Sequence, residues 1–148
     1  MKYIFTEKMY GNYFNGVDGM SFRQKLAKYF NNHAETRDNH LDSTLETRYF
    51  KTTKDKAMLT LESFFKNAQG YRLNAQSNEH GEISVLKQKG KKCFIVVTVI
   101  MVRPFNTAID FSVTTESFMP FDFGYSTRLI NKFYSDIQKE IPIVEKSS

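Results

Sequence analysis

The run Cys93-Phe-Ile-Val-Val-Thr-Val-Ile-Met-Val102 is the longest apolar stretch in the chain and is broken only by Thr98. It has about half the length that a membrane-crossing helix requires, and its β-branched content marks it as a strand. Side chains alternate across a strand, yet neither side of this one is polar. Phe94, Val96, Ile100 and Val102 share one side, and Cys93, Ile95, Val97, Val99 and Met101 share the other. Both faces therefore need cover. Helices can supply one layer, and the other falls to residues 1–40, to a second subunit or to a ligand. Cover from within the chain costs no association entropy, so a helix at Ser21–Asn32 folding back is the first expectation.

Around this strand the pattern predicts an α+β domain: an antiparallel sheet of about five strands with two helices on one face, in the order β-α-β-β-β-β-α, preceded by an N-terminal strand and helix. Leu45–Phe50 reads as a strand, and Thr52, Thr53 and Asp55 form a helix N-terminus. Ala57, Met58, Leu61, Phe64, Phe65 and Ala68 then make one apolar helical stripe, stopped by Gly70. Tyr71–Gln76, Glu82–Gln88, Cys93–Val102 and Ala108–Thr115 are strands joined by connections short enough for hairpins. In the last of them Ile109, Phe111 and Val113 alternate with Asp110, Ser112 and Thr114, which predicts one buried and one wet face. Leu129, Ile130, Phe133, Ile137 and Ile141 line a closing helix that Pro142 ends. Ahead of this core, Lys2–Thr6 is a short strand candidate. Ser21 and Gln24 resemble a capping box, and Asn31–His40 reads as a polar connector.

The chain of 148 residues, with 41% hydrophobic and 25% charged side chains, is expected to form a single domain. Residues 1–42 form its N-terminal segment, 43–142 its core and 143–148 a tail. Cys93 is the one cysteine, which excludes an internal disulfide. Met1 leads into Lys2-Tyr-Ile-Phe5 without a secretory apolar stretch, so a cytoplasmic protein is expected. A net charge of +5 permits an acidic partner without identifying one.

Catalytic signatures are missing. His33, His40 and His80 stand in no tight ligand spacing, although His33 and His40 bracket Glu35, Asp38 and Asp42, a set able to hold a metal only if it converges. Lysines beside Cys93 would favour its thiolate, but a buried structural cysteine is the better reading. No nucleophile elbow, phosphate loop or dinucleotide motif occurs. The balance leans against an enzyme, with no cofactor or metal implied.

Two features suit binding. Lys87-Gln-Lys89-Gly-Lys91-Lys92 places four lysines around one hairpin tip, a candidate anion site for nucleic acid or an anionic membrane surface, or else a charged turn that keeps the hairpin soluble. Phe118, Met119, Phe121, Phe123 and Tyr125 crowd the connector between the last strand and the last helix. They either plug the end of the core or offer an aromatic surface to a partner.

The segments His33-Ala-Glu-Thr-Arg-Asp-Asn-His40, Phe111–Glu116 and Pro120–Ser126 resemble an uncharacterised family of small cytosolic proteins from low-GC Gram-positive bacteria. That resemblance implies a bacterial, cytosolic protein and no particular activity, and it makes Glu35, Arg37 and Asp38 candidate hydrogen-bonding anchors. The element order over residues 45–142 is similar to the core of the TATA-binding-protein fold and of helix-grip lipid- and hormone-binding domains, a likeness of topology only. Together these features suggest a non-enzymatic binding module for a protein partner or an apolar small molecule, with a homo-oligomer also open. The alternative is electrostatic binding through Lys87, Lys89, Lys91 and Lys92.

Overall fold

The computed structural model of the chain describes residues 33–115 and 124–145. In order come β1 (His33–Glu35), a 3-10 turn (Ser43–Leu45), β2 (Arg48–Phe50), α1 (Lys54–Asn67), β3 (Tyr71–Ser77), β4 (Glu82–Lys87), β5 (Cys93–Arg103), β6 (Asn106–Thr115) and α2 (Tyr125–Glu140). The strands form one antiparallel sheet of order β1-β6-β5-β4-β3, with β2 also paired to β6. This is the expected α+β architecture with six strands rather than about five. The strand Lys2–Thr6, the helix Ser21–Asn32 and any cover they give the sheet lie outside the described residues.

The additional strand is β1, inside the segment whose composition suggests a connector. Its register, His33↔Thr114, Ala34↔Val113 and Glu35↔Ser112, comes from backbone pairing, which needs no apolar side chains. Only Ala34 packs against the core, which explains why no hydrophobic period marks it. β2 is shorter than expected because Asp42 caps a 3-10 turn by accepting from the Thr44 amide at 2.9 Å, and Leu45 belongs to that turn. β1 and β2 lie end to end along β6, and residues 36–47 leave the ladder between them. At the far side of β2, Lys51 N donates to Pro142 O and Val144 N to Tyr49 O, so residues 142–144 dock along β2.

The helices cover one face. Thr53 caps α1 through the Lys56 amide, and Ala57, Met58, Leu61 and Phe65 are buried beneath it. From α2, Leu129, Ile130, Phe133, Tyr134 and Ile137 join Ile83, Val85, Ile95, Val97, Val99, Ile109, Phe111 and Val113 of the sheet in one cluster. Phe133 is its centre: its ring lies 5.3 Å from those of Phe65 and Phe111 and 5.9 Å from that of Tyr71.

β5 is buried on both faces from Cys93 to Val99, as its two-sided apolar pattern requires. Beyond Val99 the expectation fails, since Met101 and Val102 are 46% and 47% exposed. The reason lies in the neighbours. β4 starts at Glu82, opposite Thr98, and β2 ends at Phe50, opposite Thr107, so the β5–β6 hairpin continues past both.

The expectation of a wet face on β6 is also overturned: Asp110, Ser112 and Thr114 are all buried. β6 lies inside the sheet, flanked by β5 on one side and by β1 and β2 on the other, whereas β3 is the edge where Arg72 and Gln76 meet water. Glu82 and Thr98 share the row of Asp110 across β4 and β5 and are buried with it. Burial pushes the Glu82 carboxyl above its ordinary value, and His80 offsets part of this. The folded chain thus holds that proton more tightly than the unfolded chain. Its contribution to stability is present below the ordinary glutamate range and is lost as pH rises through the folded value. Glu82→Gln is expected to raise the urea midpoint at about pH 7 and to converge with the wild type below about pH 4; equal midpoints at both would show that burial of this carboxylate has no cost.

Candidate functional site

The meander places the end of β4, the start of β5 and the end of β6 side by side, in the register Lys87↔Cys93↔Thr115. The lysine hairpin and the end of β6 therefore lie at one end of the sheet, and Tyr125, the first residue of α2, comes to the same end beside Lys87 and Lys91. Gly70 joins this end too. It stands at φ 83, in the region that favours glycine, and a Cβ there would lie 2.8 Å from that of Lys89. With Gln88 N donating to Gly70 O at 2.7 Å, this contact fastens the hairpin tip to the α1–β3 turn.

The lysines divide into two pairs. Lys87 and Lys91 are half-buried, and their ammonium groups lie 5.9 and 5.1 Å from the ring centre of Tyr125, in the range of cation–π attraction. The Lys87 ammonium also donates to the carbonyls of Lys89 and Lys91, so it serves the hairpin's own backbone. Lys89 and Lys92 are exposed. Of the predicted aromatic set, Tyr125 begins α2 and packs against the core, while Phe118, Met119, Phe121 and Phe123 lie outside the described residues.

Below the lysines, Cys93 is fully buried and its Sγ donates to Lys91 O at 3.4 Å. A thiol engaged as a donor beneath a hairpin is structural rather than nucleophilic. The Tyr125 hydroxyl is pushed up to about 12, first by burial and then by Cys93 and Tyr71, so it holds its proton throughout the neutral range. This end thus brings positive charge onto the ring of Tyr125.

A second constellation escapes sequence reading. Where β1 and β2 part, Asp110 Oδ1 accepts from the hydroxyls of Thr36 and Thr47, each at 2.7 Å. Thr36 Oγ1 in turn accepts from the Phe111 amide at 2.8 Å, and the Thr36 amide donates to Phe111 O at 2.8 Å. The Tyr134 hydroxyl donates to Ile109 O at 2.7 Å and lies 3.2 Å from Thr36 Oγ1. Burial, and then Asp110, drive that hydroxyl far above the usual tyrosine value. Arg48 closes the group with its guanidinium 4.5 Å from the centre of the Tyr134 ring. Each of these hydrogen bonds satisfies backbone or side-chain groups that the gap in the edge ladder would leave bare, so the cluster pins the edge of β6.

Within the segment 33–40, Asp38 and Arg37 are tied to β2 and the 3-10 turn. Asp38 accepts from the Tyr49 hydroxyl at 2.9 and 3.0 Å, and Arg37 engages Leu45 and Thr47 through its backbone. His40 Nδ1 accepts from the Asp42 amide at 3.0 Å. Among the described residues no group of three or more histidine, cysteine and carboxylate side chains is placed to hold a metal ion. Also among them, no helix is long and apolar enough to cross a membrane. Comparisons with protein families, with curated proteins and with solved structures find no match to this chain.

Proposed function

We propose that the protein is a non-enzymatic binding module that takes a protein partner on the end of its sheet where the β4–β5 hairpin meets the first turn of α2. The observation that carries this reading is the convergence of Lys87 and Lys91 on Tyr125; in the sequence Tyr125 directly follows the stretch that holds Phe118, Met119, Phe121 and Phe123. Cations held over an aromatic ring suit a partner segment that mixes carboxylates with apolar side chains. Electrostatic capture of nucleic acid or an anionic membrane by all four lysines is the weaker reading. The Lys87 ammonium is turned onto backbone carbonyls, which leaves Lys89 and Lys92 as the outward charges of the tip.

Lys91→Glu combined with Phe123→Ser is expected to weaken a stoichiometric protein complex isolated with the wild-type chain by about tenfold or more, with an unchanged urea midpoint. Complex formation that survives both changes sinks the proposal, and so does a loss that merely follows unfolding. Binding to duplex DNA or phosphatidylserine vesicles that collapses between low and high salt would support the electrostatic reading instead.

A further inference from the structure

The overhanging β5–β6 hairpin carries an apolar tip with an unusual backbone. Pro104 and Phe105 form its turn, and Phe105 stands at φ 55, where an aromatic residue is a steric outlier. The ring gains little burial in return, since Phe105 is 68% exposed beside exposed Met101 and Val102. Arg103 adds a cation to the tip, and no carboxylate occurs between Met101 and Thr107.

Elsewhere on the same chain is a recess of complementary character. A groove of about 570 Å³ between α1 and the last turn of α2 is lined by Leu59, Phe64 and Ala68 together with the polar Thr60, Ser63, Asn67 and Glu140. Leu59 is 66% exposed there, and Phe64, which lines the groove, lies edge-on to the buried rings of Phe65 and Phe133. An aromatic side chain entering it would extend that cluster.

We propose that the groove receives the Phe105 tip of a second copy of this chain, with Arg103 of the incoming hairpin attracted to Glu140. The inference is independent of the partner-binding end described above. A protruding aromatic tip and a groove whose apolar wall is Leu59, Phe64 and Ala68 match in chemistry, and the charges of Arg103 and Glu140 beside them are opposite. Strained backbone of this kind clusters at functional positions such as ligand clamps and switch regions. One aromatic side chain and its neighbours bury a small area, so the association is expected to be weak, on the order of ten to several hundred micromolar.

Sedimentation velocity across that range tests the proposal. The wild type is expected to self-associate. Phe105→Gly relieves the positive φ and so keeps or raises the unfolding midpoint, while increasing the dissociation constant about tenfold or more. Leu59→Lys, at an exposed helix position, is expected to do the same from the groove side. Arg103→Glu and Glu140→Lys should each weaken association, and the double exchange should recover it. A monomer throughout the range overturns the proposal, as does association indifferent to both Phe105→Gly and Leu59→Lys. A monomeric chain that binds lipid vesicles through Phe105 would likewise overturn it and assign the tip to a membrane surface.

Discussion

Phe133→Ala is expected to lower stability by about 4 kcal/mol, measured by urea denaturation. The residue is fully buried, and four aromatic rings surround its own: Phe65, Phe111, Tyr71 and Phe64, the last at 6.2 Å. They come from α1, β3 and β6, so the cavity would open where both helices and the sheet meet and cannot be closed by shifting a single element. Phe133→Leu keeps most of the volume and should cost less than half as much. A loss below about 1 kcal/mol for the alanine variant would mean that the layers can collapse onto one another and that this ring is not the centre of the core.

Thr36→Val is expected to cost about 3 kcal/mol, although it changes shape very little. The exchange removes the acceptor of the buried Phe111 amide and one of the donors to Asp110, and provides no route for water to replace them. Thr36→Ser retains the hydroxyl and should stay within about 1 kcal/mol of the wild type. Amide exchange distinguishes this mechanism from simple repacking. The Phe111 amide should lose protection in the valine variant well ahead of amides in β4, because the edge of β6 is what the hydroxyl secures. Equal stabilities for the valine and serine variants would show that Asp110 and Phe111 find other partners at no cost.

The parts legible in the sequence are those whose signal is local or periodic. The stripe of α1 announces its buried side, and Thr53 marks its start. The two-sided apolar pattern of β5 predicts a covered strand, and seven of its residues, Cys93–Val99, are buried. Hairpin connections too short for a crossover fix the antiparallel order β3-β4-β5-β6. That same meander places the last residue of β6, Thr115, at the end of the sheet where the lysine hairpin lies.

Other features had no local sign. His33-Ala-Glu35 is a strand because β6 presents it with free backbone partners, a property of β6 and not of those three residues. Alternation along β6 was correctly periodic, yet polarity was a poor guide to exposure. Asp110 is buried because Thr36 and Thr47, 74 and 63 positions away, bring hydroxyls to it. The overhang of Met101 to Phe105 depends on where the neighbouring strands begin and end, which no property of those residues reports.

By itself, then, the amino-acid order determined the elements, their sequence along the sheet and which helix stripe turns inward, since hydrophobic periodicity and short connections act over a few residues. Tertiary structure decided which polar groups are buried, which end of the sheet gathers Lys87, Lys91 and Tyr125, and which apolar side chains are left in water. Those outcomes depend on contacts between residues distant in the chain. Their energies arise only once the layers have come together and excluded water, so no local pattern can encode them.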